Sequence, residues 1–268
     1  MNNNCYKFEK IIYNDPIFEN TIDATYIIHL EGNGRLEHIL NQLEKYHLTR
    51  VVYIVYNKGY KKCKKTESII NSARDLVDSY ITIFNHAQNL NNILILEDDF
   101  IFSDDLLNHV DNVNSFLNKK KDTLFNYYLG VLPFLILPYD GYNYYIRLSA
   151  GTHSVIYSKK SREYTLGIDQ KTIIDWDQYT AVNYINRYVY YKPLCYQLFP
   201  DTENSSQWGI EYNINFICKR LHMFYKILGL DIKAEPGYSI MYIFAKNLHK
   251  IIILLIILLI RYIKLLDY

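Results

Sequence analysis

Residues 91–102, NNILILEDDFIF, run an apolar block, Ile93-Leu94-Ile95-Leu96, straight into three consecutive carboxylates, Glu97-Asp98-Asp99. Four unbroken apolar residues between asparagines and acids read as a strand buried on both faces. Upstream, residues 22–30 (IDATYIIHL) read as another such strand, ending at Glu31-Gly32-Asn33-Gly34, where two glycines permit a tight turn. Leu36, Ile39, Leu40 and Leu43 then recur near helical spacing, and residues 51–55 (VVYIV) form the next strand. A polar helical region over residues 66–88 leads back to Ile93. This alternation predicts an α/β fold, a mostly parallel sheet flanked by helices, with the three acids at a strand's carboxyl end, the edge where such sheets bind ligands.

Further strands are expected at residues 127–132, 148–157 and 187–191, and helices at 161–167 and 175–186. The chain divides into an N-terminal extension (1–20), one domain (21–210) and a C-terminal helical region (211–268) with an apolar tail at 248–266. A length of 268 residues suits one large domain with a small appendage.

With 29 basic and 28 acidic residues the net charge is +1, so no global field favours nucleic acid, and no nucleic-acid partner is expected. The 28 tyrosines read as core and half-buried packing. Four cysteines, Cys5, Cys63, Cys195 and Cys218, show no paired spacing, which argues against a zinc knuckle or a disulfide framework. The first ten residues hold no apolar stretch ahead of their charges, so the body is expected on the cytoplasmic side, in a reducing compartment.

Three adjacent carboxylates repel one another unless a cation or water compensates. Mn2+ or Mg2+ prefers oxygen ligands, commonly one or two carboxylates plus substrate phosphates, a supply that Glu97 and Asp99 offer. The alternative is a solvated strand-to-helix turn with acids near a helix N-terminus. In residues 173–179, IIDWDQY, Asp177 or Asp175 is a candidate base, and Trp176 between them would offer a flat apolar face to a ligand ring. Asp175 holds the better N-cap position, so Asp177 is the preferred base.

Three blocks together, YIIHLEGNGR (26–35), NNILILEDDFIF (91–102) and AGTHSVIYSK (150–159), resemble glycosyltransferase family 25, the lipopolysaccharide-type and collagen-type sugar transferases. The resemblance spans residues 24–209. It implies a nucleotide-diphospho-sugar transferase fold of type A and a nucleotide-sugar donor such as a UDP-sugar. It further implies a glycan or protein hydroxyl as acceptor, and inversion at the anomeric carbon. Carried over, Asn33 and Arg35 would approach the donor, Glu97, Asp98 and Asp99 would match the metal-binding acids, and His153 would contact a hydroxyl or phosphate. Residues 199–209 would supply a late loop in which Ser205, Ser206 and Gln207 close over the donor.

A non-catalytic glycan-binding or structural relative stays open as a second reading, as does a metal-dependent phosphoesterase, although that chemistry usually draws on several separated acids. In the tail, Lys250 precedes ten apolar residues, 251–260, followed by Arg261 and Lys264. Such a run is short for a membrane span yet apolar all round, so membrane contact and burial against the domain are both open.

Overall fold

The computed structural model describes residues 5–184, 186–200 and 215–266. Among them seven strands form one sheet in the order β1-β3-β2-β4-β7-β6-β8, with β1 Tyr6–Ile12, β2 Ala24–Leu30, β3 Val51–Asn57, β4 Ile93–Glu97, β6 Asn126–Pro138, β7 Asn143–Tyr157 and β8 Arg187–Tyr190. Two short strands, β5 Ile101–Phe102 and β9 Cys195–Tyr196, pair separately.

Neighbours β3, β2 and β4 run parallel, as expected, but β1 pairs antiparallel with β3, and β7 is antiparallel to both β4 and β6. The sheet is therefore mixed, with β2, β3, β4, β6 and β8 running one way and β1 and β7 against them. β7 is reversed because a hairpin joins it directly to β6, in strands of 15 and 13 residues. Its turn is closed by Asp140, which accepts from the backbone N–H groups of Tyr142 (2.9 Å) and Asn143 (2.8 Å).

Period-2 alternation sends β-strand side chains to two separate cores. Tyr26, Ile28, Ile93 and Ile95 face one layer, with helix α2 (Ser72–His86) and helix α5 (Trp176–Asn183). Ile27, Leu94 and Leu96 face the other, with α1 (Leu36–Lys45) and α3 (Val110–Lys119). Both faces are covered, which is why these strands read as continuous apolar runs.

The N-terminal segment is not an extension outside the domain, because β1 completes the sheet edge. The expectation against disulfides is also corrected, since Cys5 is bonded to Cys63 and ties β1 to the loop after β3. A disulfide persists in oxidising surroundings, so this bond and the expected reducing compartment are at odds.

After α4 (Lys159–Leu166) and α5, the C-terminal helices are α6 (Asn215–Ile227) and α7 (Gly237–Leu266). They are not a mere appendage. Tyr238, Met241, Tyr242 and Ala245, at i, i+3, i+4 and i+7 on α7, are at most 2% exposed and belong to the α2-side core. The boundary expected at 210/211 and residues 201–209 of the late loop, with Ser205, Ser206 and Gln207, lie outside the described residues.

Candidate functional site

The carboxyl ends of β2, β3 and β4, at Leu30, Asn57 and Glu97, surround a cleft of about 460 Å³. Asn33, Arg35 and all three acids of the Glu97-Asp98-Asp99 run line it, so separate parts of the sequence reading converge there. A second cavity of about 360 Å³, between α2 and residues 168–173, lies away from these acids.

The three carboxylates have different surroundings. Asp98 is held by protein: it accepts from the Leu30 N–H (3.1 Å), from the Asn33 amide and from Arg35 Nη1 (2.6 Å), and His29 Nδ1 lies 3.5 Å away. Burial works against its charge, but the nearby His29 imidazole, the Arg35 guanidinium and the hydrogen bonds from Arg35 and Leu30 outweigh it, keeping Asp98 below the usual carboxylate range. The turn itself is set by Gly32 and Gly34, both at positive φ (83° and 79°), and by Asn33 Oδ1 accepting from the Arg35 N–H at 3.0 Å.

Asp99 is less well satisfied. Its Oδ2 accepts from Arg35 Nη1 (3.1 Å) and Gln197 Nε2 (2.9 Å), while its buried Oδ1 has no hydrogen-bond partner among the described residues. Burial raises its pKa despite Arg35.

Glu97 Oε1 accepts from the hydroxyls of Tyr80 (3.0 Å) and Thr152 (2.9 Å), and the same Thr152 hydroxyl lies 2.5 Å from Asp177 Oδ1. One hydroxyl proton cannot serve two carboxylates, so a carboxyl of the pair must carry a proton for both contacts to be hydrogen bonds. Burial, then the charges of Asp177 and Asp99, push Glu97 up to about 8. Part of Asp177 faces solvent, yet the atoms packed round its carboxyl and the charge of Asp175 raise it to about 6. Between those values the pair carries one shared proton.

This has a consequence for stability. A carboxyl raised from about 4.5 to about 8 on folding binds more protons when native, so stability declines as pH climbs through that window. Glu97→Gln removes this decline. Thermal melts should match wild type near the acid end of the window and exceed it above about pH 8; equal wild-type and mutant melts at both ends would refute the assignment.

Asp175 is the N-cap of α5, accepting from the Gln178 N–H at 2.9 Å, and Asp177 follows in the first turn. Trp176 offers no face to a sugar. It is 1% exposed, stacked on Tyr80 (4.4 Å between centroids, 15° between planes), and its indole N–H donates to the Tyr157 hydroxyl at 2.9 Å. His153 is likewise interior: it is fully buried, lies beside the Cys195 carbonyl, and does not line the cleft. Burial lowers its pKa to about 4, so it is a neutral core residue rather than a donor contact. Gly130 faces this packing, where an added Cβ would come within 1.8 Å of the Cys195 carbonyl oxygen.

One wall of the cleft went unassigned in the sequence. The loop after β3 brings Lys58, Tyr60, Lys61 and Lys62 to the cleft. Asn57 starts it by accepting from the Gly59 N–H at 2.8 Å, and Gly59 adopts a φ of +76° against Leu30. Beneath it, buried Lys65 pairs with Asp75 (2.6 Å) and donates to Asn57 Oδ1 (3.0 Å), joining the loop to α2. The basic run at residues 58–65 was the available signal.

Among the described residues no group of three or more His, Cys, Asp or Glu side chains is placed to hold a metal ion. With Asp98 committed to Arg35, the chain offers Asp99, through its unpartnered oxygen, and Glu97. Two carboxylates fit Mg2+ or Mn2+ when phosphate oxygens complete the shell.

No family model matches this chain, and no curated protein matches it. Among solved structures, the crystal structure of a glycosyltransferase involved in the glycosylation of the major capsid of PBCV-1 is similar over 67% of this chain and 96% of that one. The identity is 10% and the TM-score 0.39, too loose a likeness to carry a site or an activity across. The resemblance to glycosyltransferase family 25 rests on its three sequence blocks.

Proposed function

We propose that this protein is a glycosyltransferase that moves a sugar from a nucleotide-diphosphate donor, a UDP-sugar, to a hydroxyl of a glycan or protein, with inversion. The observation that carries the reading is the mixed charge of one cleft, whose lining holds the carboxylates of Glu97 and Asp99 together with Lys58 and Lys62. A diphosphate bridged to a divalent cation has the complementary pair of charges. The type A transferase fold belongs to this proposal, supported by the three parallel strands whose carboxyl ends form the cleft.

Asp99 and Glu97 would hold Mn2+ or Mg2+. When bound, the cation supplies charge stabilisation for the departing diphosphate. Arg35, oriented by Asp98, presents its guanidinium at the donor end of the cleft. Asp177 takes the proton of the acceptor hydroxyl, and the Thr152 hydroxyl, set between it and Glu97, holds its carboxylate in place. Asp175 serves α5 as its cap.

The test is release of nucleoside diphosphate from a panel of nucleotide sugars with Mn2+. Asp99→Asn keeps the side chain's size and leaves Arg35 its partner Asp98, so the fold should survive. Metal-dependent turnover should fall about 10²-fold, the scale of losing one electrostatic contact to the transition state. Wild-type turnover and undiminished metal affinity in this variant would remove the acids from the metal site. No turnover of any donor by the wild type, with glycans still bound, would favour the non-catalytic reading.

A further inference from the structure

Helix α7 starts in the core and ends as a rod without a domain beneath it. Opposite its buried face, Ile240, Ile243 and Phe244 are 48–60% exposed, and from residue 251 to residue 260 every Ile and Leu is 41–59% exposed. A protein groove or a second copy covers one stripe of a helix, not its whole circumference. Hydrocarbon is the surrounding that suits all sides at once.

Gly237–Ile260 is long and apolar enough to cross a membrane by composition. Its first nine residues, however, are pinned to the sheet by Tyr238, Met241, Tyr242 and Ala245. The wholly apolar remainder, ten residues, reaches about 15 Å at ~1.5 Å per residue, half of a hydrocarbon core of ~30 Å. Positions 246, 250, 261 and 264, all Lys or Arg, are separated by four, eleven and three residues, so they fall within roughly 60° of one another round the helix at ~100° per residue. A spanning helix would send the two pairs to opposite membrane surfaces and would need no such alignment. A helix lying in the interface needs it.

α6 has the same character. Tyr225 is buried, while Phe216, Met223, Phe224 and Ile227, spaced along one face, are 41–75% exposed, and Ile232 just beyond is 78% exposed. Within residues 215–266 there are eight Lys and Arg against two acids.

We propose that α6 and the outward side of α7 form a monotopic footing on an anionic membrane. Both helices lie in one leaflet's interface, with the aligned Lys and Arg positions at lipid phosphates and residues 251–260 sunk among the acyl chains. The inference is independent of the transferase reading, because it concerns a surface the cleft does not use.

The test uses the full chain added to preformed vesicles of phosphatidylcholine with or without phosphatidylserine. Cys218→Ser first removes the α6 thiol, and Phe224→Cys or Lys264→Cys then introduces a label site. Binding should be about tenfold tighter with phosphatidylserine, as expected for basic residues near an anionic surface. An environment-sensitive dye on Phe224→Cys should shift to the blue and be quenched by nitroxide lipids. Lys264→Cys, on the aligned basic positions, should react with a membrane-impermeant maleimide before detergent is added. Protection of Lys264→Cys until detergent would show a span instead. A water-like dye at Phe224→Cys, or a chain that ignores both vesicle types, would also overturn the proposal.

Discussion

Asp177→Asn is expected to lower sugar transfer by about 10²- to 10⁴-fold, the usual worth of a positioned base, while donor and metal still bind. The carboxylate lies 2.5 Å from the Thr152 hydroxyl, which also reaches Glu97. Asparagine keeps the size and an acceptor oxygen but cannot take a proton. The loss therefore belongs in the chemical step rather than in donor affinity. The base must be ionised to act, so wild-type transfer should climb as pH passes about 6, the value to which its surroundings raise Asp177. The variant should lose that limb. Near-normal transfer by Asp177→Asn, with Asp175→Asn inactive, would move the role to Asp175.

Trp176→Ala is expected to destabilise the fold by about 3–5 kcal/mol, the range for removing a fully buried large aromatic. The indole packs on Tyr80, Phe84, Tyr157 and Tyr179 with centroids 4.4–6.1 Å away, and its N–H is satisfied by the Tyr157 hydroxyl. Truncation leaves a cavity and an unpaired hydroxyl in the α2-side core. Tyr80 also donates to Glu97, so the site should loosen together with the core. Denaturant unfolding measures this. A variant of wild-type stability with a raised KM for acceptor would restore the sugar-platform role that burial argues against.

The parts of the fold that were legible are those where local pattern and tertiary role coincide. Strands β2, β3 and β4 are apolar runs bounded by turns, and burial on both faces makes a run rather than an alternation. β1, YKFEKII, is an edge strand whose alternating exposure mixes charge with apolar residues, so it looked like a polar extension. The full length of the β6–β7 hairpin is hidden because Gly130 and Pro133 interrupt β6, while the outer half of β7 carries Asn143 and Arg147. In α7 the buried quartet beginning at Tyr238 has helical spacing, but the exposed Ile240, Ile243 and Phe244 interleave with it and mask its one-sided pattern.

In the site, Glu97-Asp98-Asp99 and the Asn33–Arg35 turn were visible as strand-end features, and they converge on one cleft. Their division of labour was not visible. That Asp98 is neutralised from the turn after β2, 63 residues away in the case of Arg35, is a fact of strand order. The same holds for Thr152 linking Glu97 to Asp177 across 55 and 25 residues. His153 and Trp176 misled because residue type alone does not reveal burial.

Calorimetric titration of the full chain with uridine diphosphate, with and without Mn2+, measures whether this cleft binds a nucleoside diphosphate through a divalent cation held by Asp99. Binding that Mn2+ strengthens is expected, and Asp99→Asn should abolish the strengthening. Failure of uridine diphosphate and every other nucleoside diphosphate to bind, with or without Mn2+ or Mg2+, would contradict that assignment.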